Sequence, residues 1–172
     1  MQAPELEHPV VLVDTNDRPI GEMGKLEVHE RGLLHRAFSV FVFNDRGELM
    51  LQRRAESKYH SGGLWSNTCC SHPQPGEIVQ NAAHRRLWEE MRLECDIQPH
   101  FTFVYRAELD RGLVEHEYDH VFVGRTDRTP DPDPAEVADW RWTPVDVIRR
   151  ELEERPGDFT SWFRICFDRA VR

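Results

Sequence analysis

The strongest constraint on folding is the run from Ala37 to Phe43, in which Phe38, Val40, Phe41, Val42 and Phe43 leave little that tolerates water. A run this apolar and this short reads as a buried strand. Asn44-Asp45-Arg46-Gly47 is a hairpin turn, and Glu48 to Arg53 is the returning strand. Further strands are expected at Val10–Val13, Phe101–Glu108, Leu113–Arg125 and Asp139–Trp142. Asn16-Asp17-Arg18-Pro19 is a turn, and residues 1–8 read as a loose tail. A helix is predicted from Ile78 to Met91, with Leu87 and Met91 marking its apolar side. Thr143 is expected to cap the next helix with Pro144 in its first position, and Pro156-Gly157 to end it. Asp158 is expected to cap the last helix. There Phe159, Trp162, Phe163, Cys166, Phe167 and Ala170 recur at helical spacing, which reads as core packing.

With 172 residues, 39% hydrophobic and 31% charged, the chain suits one soluble domain spanning 1–172. A net charge of −9 speaks against a nucleic-acid binder, which would show a basic face. It leaves room for an anionic small ligand held by local lysines and arginines. No apolar run reaches transmembrane length, and Met1 to Pro9 has neither the basic nor the apolar region of a signal peptide. Of the four cysteines, Cys69 and Cys70 are adjacent, which is poor disulfide geometry. A reducing cytoplasm with free thiols is the expectation, with no membrane partner. No internal repeat or low-complexity segment is found. The stretch Thr129-Pro130-Asp131-Pro132-Asp133-Pro134 is a stiff connector rather than a domain linker.

The chemistry-bearing residues concentrate in Trp65 to Glu77, expected as a loop, and in the helix that follows. Cys69, Cys70 and His72 sit there, with Arg85/Glu89 and Arg86/Glu90 placed as i,i+4 pairs. Elsewhere, His29 and His35 are six apart and do not share a helix face. By spacing alone they read as surface histidines; if they met, one would come from a loop and one from a strand start. Arg53, Arg54 and Lys58 form either a solvated basic edge or a phosphate site, since guanidinium forks match phosphate oxygens. Glu115 and Glu117 project to one face of their strand and His116 to the other. Like charges so placed repel unless water or a cation stabilises them, so the pair is either a solvated edge or a hard-cation site.

The run Ser71, Glu77, Arg85-Arg86-Leu87-Trp88-Glu89-Glu90-Met91-Arg92-Leu93 resembles the Nudix box, a loop–helix–loop whose carboxylates hold Mg²⁺ on a diphosphate. Ser71 stands at the box's opening Gly, Arg86 at the Glu after the first Arg, and Arg92 at the later Gly. These departures fit one branch. Asn67-Thr68-Cys69-Cys70-Ser71-His72-Pro73 together with Glu115-His116-Glu117 resembles the type I isopentenyl diphosphate isomerases, and the resemblance covers most of the chain. It implies an α/β (α+β) class, a Nudix-like α/β/α sandwich with a mixed β-sheet. It also implies a metal site of His29, His35, His72, Glu115 and Glu117, filled by Mn²⁺, Zn²⁺ or Mg²⁺. A second ion, Mg²⁺, would bridge Glu90 and the substrate diphosphate, with Lys25, Arg54, Lys58 and Arg86 neutralising the remaining phosphate charge.

The implied reaction moves a double bond in a five-carbon diphosphate. Protonating an unactivated alkene gives a tertiary carbocation, which water would trap. The site therefore needs two proton-transfer groups on opposite faces, a dry pocket and something soft facing the cation. The resemblance assigns Cys70 and Glu117 to the two faces, Tyr105 to the carboxylate side and the Trp162 ring to the cation. Cys69 matches no role and is expected to be packed. Two alternatives compete. One is a Nudix pyrophosphohydrolase. The other is a zinc-stabilised binding module with Cys69, Cys70, His72 and Cys95 as ligands, although adjacent cysteines do not form the usual knuckle. A monomer acting on a small allylic or homoallylic diphosphate is expected.

Overall fold

The computed structural model describes residues 8–172, so the expected N-terminal tail lies almost wholly outside the described residues. The strands are β1 (Pro9–Val13), β2 (Pro19–Gly24), β3 (His35–Phe43), β4 (Leu49–Arg54), β5 (Trp65–Ser66), β6 (Cys69–Ser71), β7 (Ile97–Glu108), β8 (Val114–Arg125) and β9 (Val137–Thr143). The helices are α1 (Lys25–Arg31), α2 (Val79–Met91), α3 (Val145–Glu154) and α4 (Ser161–Ala170).

All nine strands of the described residues join one mixed sheet centred on β3. One edge of β3 pairs in parallel with β8 from His35↔Glu117 to Phe43↔Arg125. Its other edge takes β1, β6 and β4, all antiparallel. β7 extends the sheet beyond β8, and β5 and β9 both pair with β4.

Alternation along β3 feeds two cores. Phe38, Val40 and Val42 meet Ala82, Ala83, Leu87 and Met91 of α2. Phe41 and Phe43 face the other way, onto Phe159, Phe163 and Phe167 and onto Ile148 of α3. Each fully buried aromatic or aliphatic side chain contributes about 1.5–3 kcal/mol. Helices therefore cover both faces of the sheet, as a strand apolar on both faces requires. This is the α/β sandwich with a mixed sheet expected above. No helix among the described residues is long and apolar enough to cross a membrane.

Several local expectations are corrected. The Trp65–Glu77 stretch is not all loop: β5 and β6 lie within it, because β3 and β4 offer unpaired edges there. His29 lies on α1 rather than in a loop. Thr143 ends β9, and α3 starts at Val145 with Pro144 preceding it. Asp158 belongs to a 3₁₀ turn, and Thr160 takes the cap position of α4. Arg92 ends α2 in the left-handed region, at φ 52°. Glycine is favoured there because a Cβ crowds the backbone. Arg92 offsets that cost by donating to the Trp88 and Glu89 carbonyls, the last acceptors of the helix.

Candidate active site

The parallel register of β3 and β8 sets the site. It places His35 directly beside Glu117, and β7 places Tyr105 on the far side of Glu117. Glu115, two residues back on the same face of β8, joins the row. Neither His29 nor His35 is a surface residue; both are fully buried. α1 and the short turn after it carry His29 back over the strand start.

Each of these two rings has one nitrogen committed. His29 Nδ1 donates to the Lys25 carbonyl at 2.6 Å, and His35 Nδ1 to the Leu33 carbonyl at 2.8 Å. That fixes the tautomer and leaves both Nε2 lone pairs facing inward. His29 Nε2 is buried without a hydrogen-bond partner. His35 Nε2 lies 3.2 Å from His72 Nε2, which lies 3.1 Å from Glu117 Oε1. The ligating atoms of His29, His35, His72 and Glu117 all lie within 4.8 Å of one another, and so do those of His29, His60 and Glu115. Converging imidazole nitrogens without protons to share, beside two buried carboxylates, are the donor set of a divalent ion. The residues fit one.

The charges are arranged accordingly. Burial raises the affinity of Glu117 for a proton, but the adjoining His35 and His72 rings outweigh it and hold the carboxyl well below its ordinary range. Burial pulls His72 down to about 3, so this ring is neutral. The Tyr105 hydroxyl bridges Glu115 Oε2 at 2.5 Å and Glu117 Oε2 at 2.8 Å. Burial, then the two glutamates, push its pKa up, so it stays a donor.

The adjacent cysteines divide between the faces of the sheet. Cys69 is fully buried in the core under α2. Cys70 is half-buried, pairs opposite Ser39 of β3, and lines the same cavity as Tyr105, Glu115, Glu117 and Trp162. Burial pushes the Cys70 thiol far up, so it is neutral and carries its proton. Trp162 reaches this cavity from α4, with Arg54 5.2 Å from its ring and His60 edge-on at 5.9 Å.

The cationic side chains gather at one end. Lys25, Arg54 and Lys58 line the cavity, and Arg86 lines an adjoining recess that shares Lys25 and His72 with it. Alternation turns Arg53 away from Arg54, onto Glu56. Glu90 lines the cavity too, accepting from Arg86 at 2.8 Å and from Gln52 at 2.9 Å. The zinc-module alternative fails on geometry. Among the described residues, no cysteine belongs to a convergent group of donors.

Sequence reasoning missed several cavity residues. Gln52 was findable, because it shares a strand face with Arg54. Glu136 accepts from Lys58 at 2.7 Å, from a position in the chain that gives no signal. Ser39 donates to the buried Asp119 at 2.7 Å behind Cys70. His60 sits in the turn after β4 and is neutral, its pKa lowered to about 2 by burial and then by Arg54.

Comparison with known proteins agrees with this geometry. The NUDIX domain model matches residues 33–163. The protein named isopentenyl-diphosphate Delta-isomerase in Pectobacterium atrosepticum is 55% identical over 160 residues, covering 93% of this chain and 89% of that one. A protein of the same name in Burkholderia multivorans is 52% identical, covering 96% of this chain and 94% of that one. The chain belongs to the isopentenyl-diphosphate Delta-isomerase family. Among solved structures, a Deinococcus radiodurans protein superposes with a TM-score of 0.80 at 19% identity, covering 96% of this chain and all of that one. A Methanosarcina mazei MutT protein superposes at 0.66 and 19% identity, covering 80% of this chain and 92% of that one. At that identity they show the fold alone. The isomerase family thus sits on a Nudix fold, and the hydrolase alternative loses ground to it.

Proposed function

We propose that the chain interconverts isopentenyl and dimethylallyl diphosphates by adding a proton to one carbon of the alkene and removing another two carbons away. One observation carries this reading. Cys70 on β6 and Glu117 on β8 reach one cavity from strands on opposite edges of β3. Two proton carriers so placed suit addition to one face of a substrate and removal at the other.

In this reading the neutral Cys70 thiol and the ionised Glu117 hold complementary protonation states. Tyr105 fixes the Glu117 carboxylate by hydrogen bonding and exchanges no proton itself. The Trp162 ring faces the positive charge that develops in the carbon skeleton, a contact worth about 2 kcal/mol when desolvated. The Phe38, Tyr105 and Trp162 rings are the apolar part of the cavity wall and keep water from the cation there. Lys25, Arg54, Lys58 and Arg86 bind the diphosphate, and Arg54 joins that end to Trp162.

His29, His35, His72, Glu115 and Glu117 would hold one divalent ion, Mn²⁺, Zn²⁺ or Mg²⁺, and Glu90 would share a Mg²⁺ with the diphosphate. When bound, these ions supply positive charge that fixes the carboxylates and neutralises phosphate oxygens. One domain acting as a monomer in the cytoplasm completes the proposal.

The test is incubation of purified protein with isopentenyl diphosphate and Mg²⁺ in D₂O. Deuterium entering the new methyl group of dimethylallyl diphosphate is expected. Phosphate release without isomerisation, or no exchange at any metal composition, would overturn the reading.

A further inference from the structure

The two donor groups described above share one residue, His29. Its Nδ1 is committed to the Lys25 carbonyl, so only Nε2 is free to ligate, and one nitrogen serves one ion. The two groups therefore meet at one nitrogen, and a centre built on it has beside it an imidazole outside the ligand set implied by the family resemblance: His60.

We infer that His60 is a ligand of this centre, binding through Nε2 beside Glu115. The inference rests on the metal reading of the His/Glu cluster. Distances support it. Two donors each about 2.1 Å from one ion stand roughly 3–3.4 Å apart. His60 Nε2 lies 3.5 Å from Glu115 Oε1, while His29 Nε2 lies 3.7 Å from the same oxygen and His35 Nε2 3.5 Å from Glu117 Oε1. His60 thus stands from its carboxylate as the other two rings stand from theirs. A separation of 3.5 Å is long for a hydrogen bond.

The loop that carries His60 is held for this purpose. Nδ1 pairs with the Ser61 hydroxyl at 3.1 Å, which leaves Nε2 for the cavity. Arg54 donates to the His60 carbonyl at 3.2 Å, and the Ser61 amide donates to Asp110 at 3.0 Å. Ser61 sits at φ 53°, a left-handed conformation unfavourable for a residue with a Cβ. At Gly62 a Cβ would meet the Glu56 carbonyl oxygen at 2.7 Å, so the loop packs more tightly than a side chain permits. Backbone strain of this kind persists where the surrounding structure imposes it, and it clusters at functional sites. Four imidazoles around one ion favour Zn²⁺ or Co²⁺ over Mg²⁺.

The experiment titrates chelator-stripped, full-length protein with Co²⁺ alone, following the visible spectrum and competition with a chromophoric chelator. The parent is compared with His60→Phe, which keeps a ring against Tyr59 and Trp162, and with His60→Gln. Loss of a ligand is expected to exceed the low end of the roughly 10–100-fold range seen for outer-shell partners, and to change the spectrum. Equal affinity and an unchanged spectrum in both variants would overturn the inference. If the variants do not fold, a Zn²⁺-loaded crystal of the parent decides. The ion should lie about 2.1 Å from His60 Nε2, and a separation beyond about 3 Å overturns the inference. A parent that binds neither ion refutes the metal reading of the whole cluster and this inference with it.

Discussion

Cys69 and Cys70 provide the sharpest test, because neighbouring, chemically identical residues are given opposite fates by the pleat of one short strand. Cys69→Ala removes a sulfur from the fully buried core beneath α2. Deleting one buried heavy atom there costs about 1 kcal/mol. In a chain of this length that is a fall of about 2–4 °C in melting temperature. Cys69 does not line the cavity, so kcat should stay within about twofold of the parent. Cys70→Ala removes instead the neutral thiol that lines the cavity opposite Ser39. A positioned proton carrier is worth about 10²–10⁴ in rate, or about 2.7–5.5 kcal/mol of barrier. Stability should change little, because the side chain is only half-buried. Deuterium incorporation measured by NMR gives the rates, and thermal scans give the stabilities. If both variants lose turnover alike, or if Cys69→Ala is the slower enzyme, the assignment of the faces is wrong.

Tyr105→Phe leaves Glu115 and Glu117 without their shared hydroxyl donor. Losing a hydrogen bond to a buried charged group costs about 1–3 kcal/mol, so kcat should fall by about 5–150-fold, and a fall of less than twofold would count against the bridging role. Glu90→Gln removes the charge between Arg86 and Gln52; the Mg²⁺ concentration for half-maximal rate should rise at least about tenfold, and an unmoved midpoint would remove Glu90 from the diphosphate site. In chelated protein, His60 is neutral when folded, its pKa lowered from 6.5 to about 2. Its contribution to stability is complete above pH 6.5 and is lost as pH falls toward 2, because the unfolded ring takes up a proton that the folded one refuses. His29 and Asp119 have raised pKa values and act in the opposite sense, but they do so in parent and variant alike. Against the parent, His60→Gln should therefore gain about 1.4 kcal/mol per pH unit on acidification below 6.5, and parallel melting profiles from pH 7 to 5 would show that the ring is not held neutral.

Where sequence and structure agree, the signal is local. Apolarity from Phe38 to Phe43, broken only by Ser39, marks a strand covered on both faces. Helical spacing from Trp162 to Ala170 marks an apolar helix face. Alternation alone puts Glu115 with Glu117 and turns His116 away, onto the Gly32 carbonyl. Those readings need only the period of a strand or a helix. The motifs add a family, and with it an ordered set of candidate residues.

The errors have a common cause. His29 and His35 read as surface residues because spacing reports only whether two side chains share a face of one element. Their meeting depends on α1 folding back and on the parallel register of β3 against β8, a long-range pairing that no window of sequence contains. The short strands β5 and β6 exist because β3 and β4 offer them edges to pair with, not because of their own composition. The sequence by itself determined which segments are buried, which faces they bury, and the types of group available for chemistry. Only the tertiary structure decided which of those groups converge, because convergence is a property of strand pairing between distant segments. That pairing put Cys70 and Glu117 on opposite sides of β3, and the turn after β4 brought His60 to Glu115.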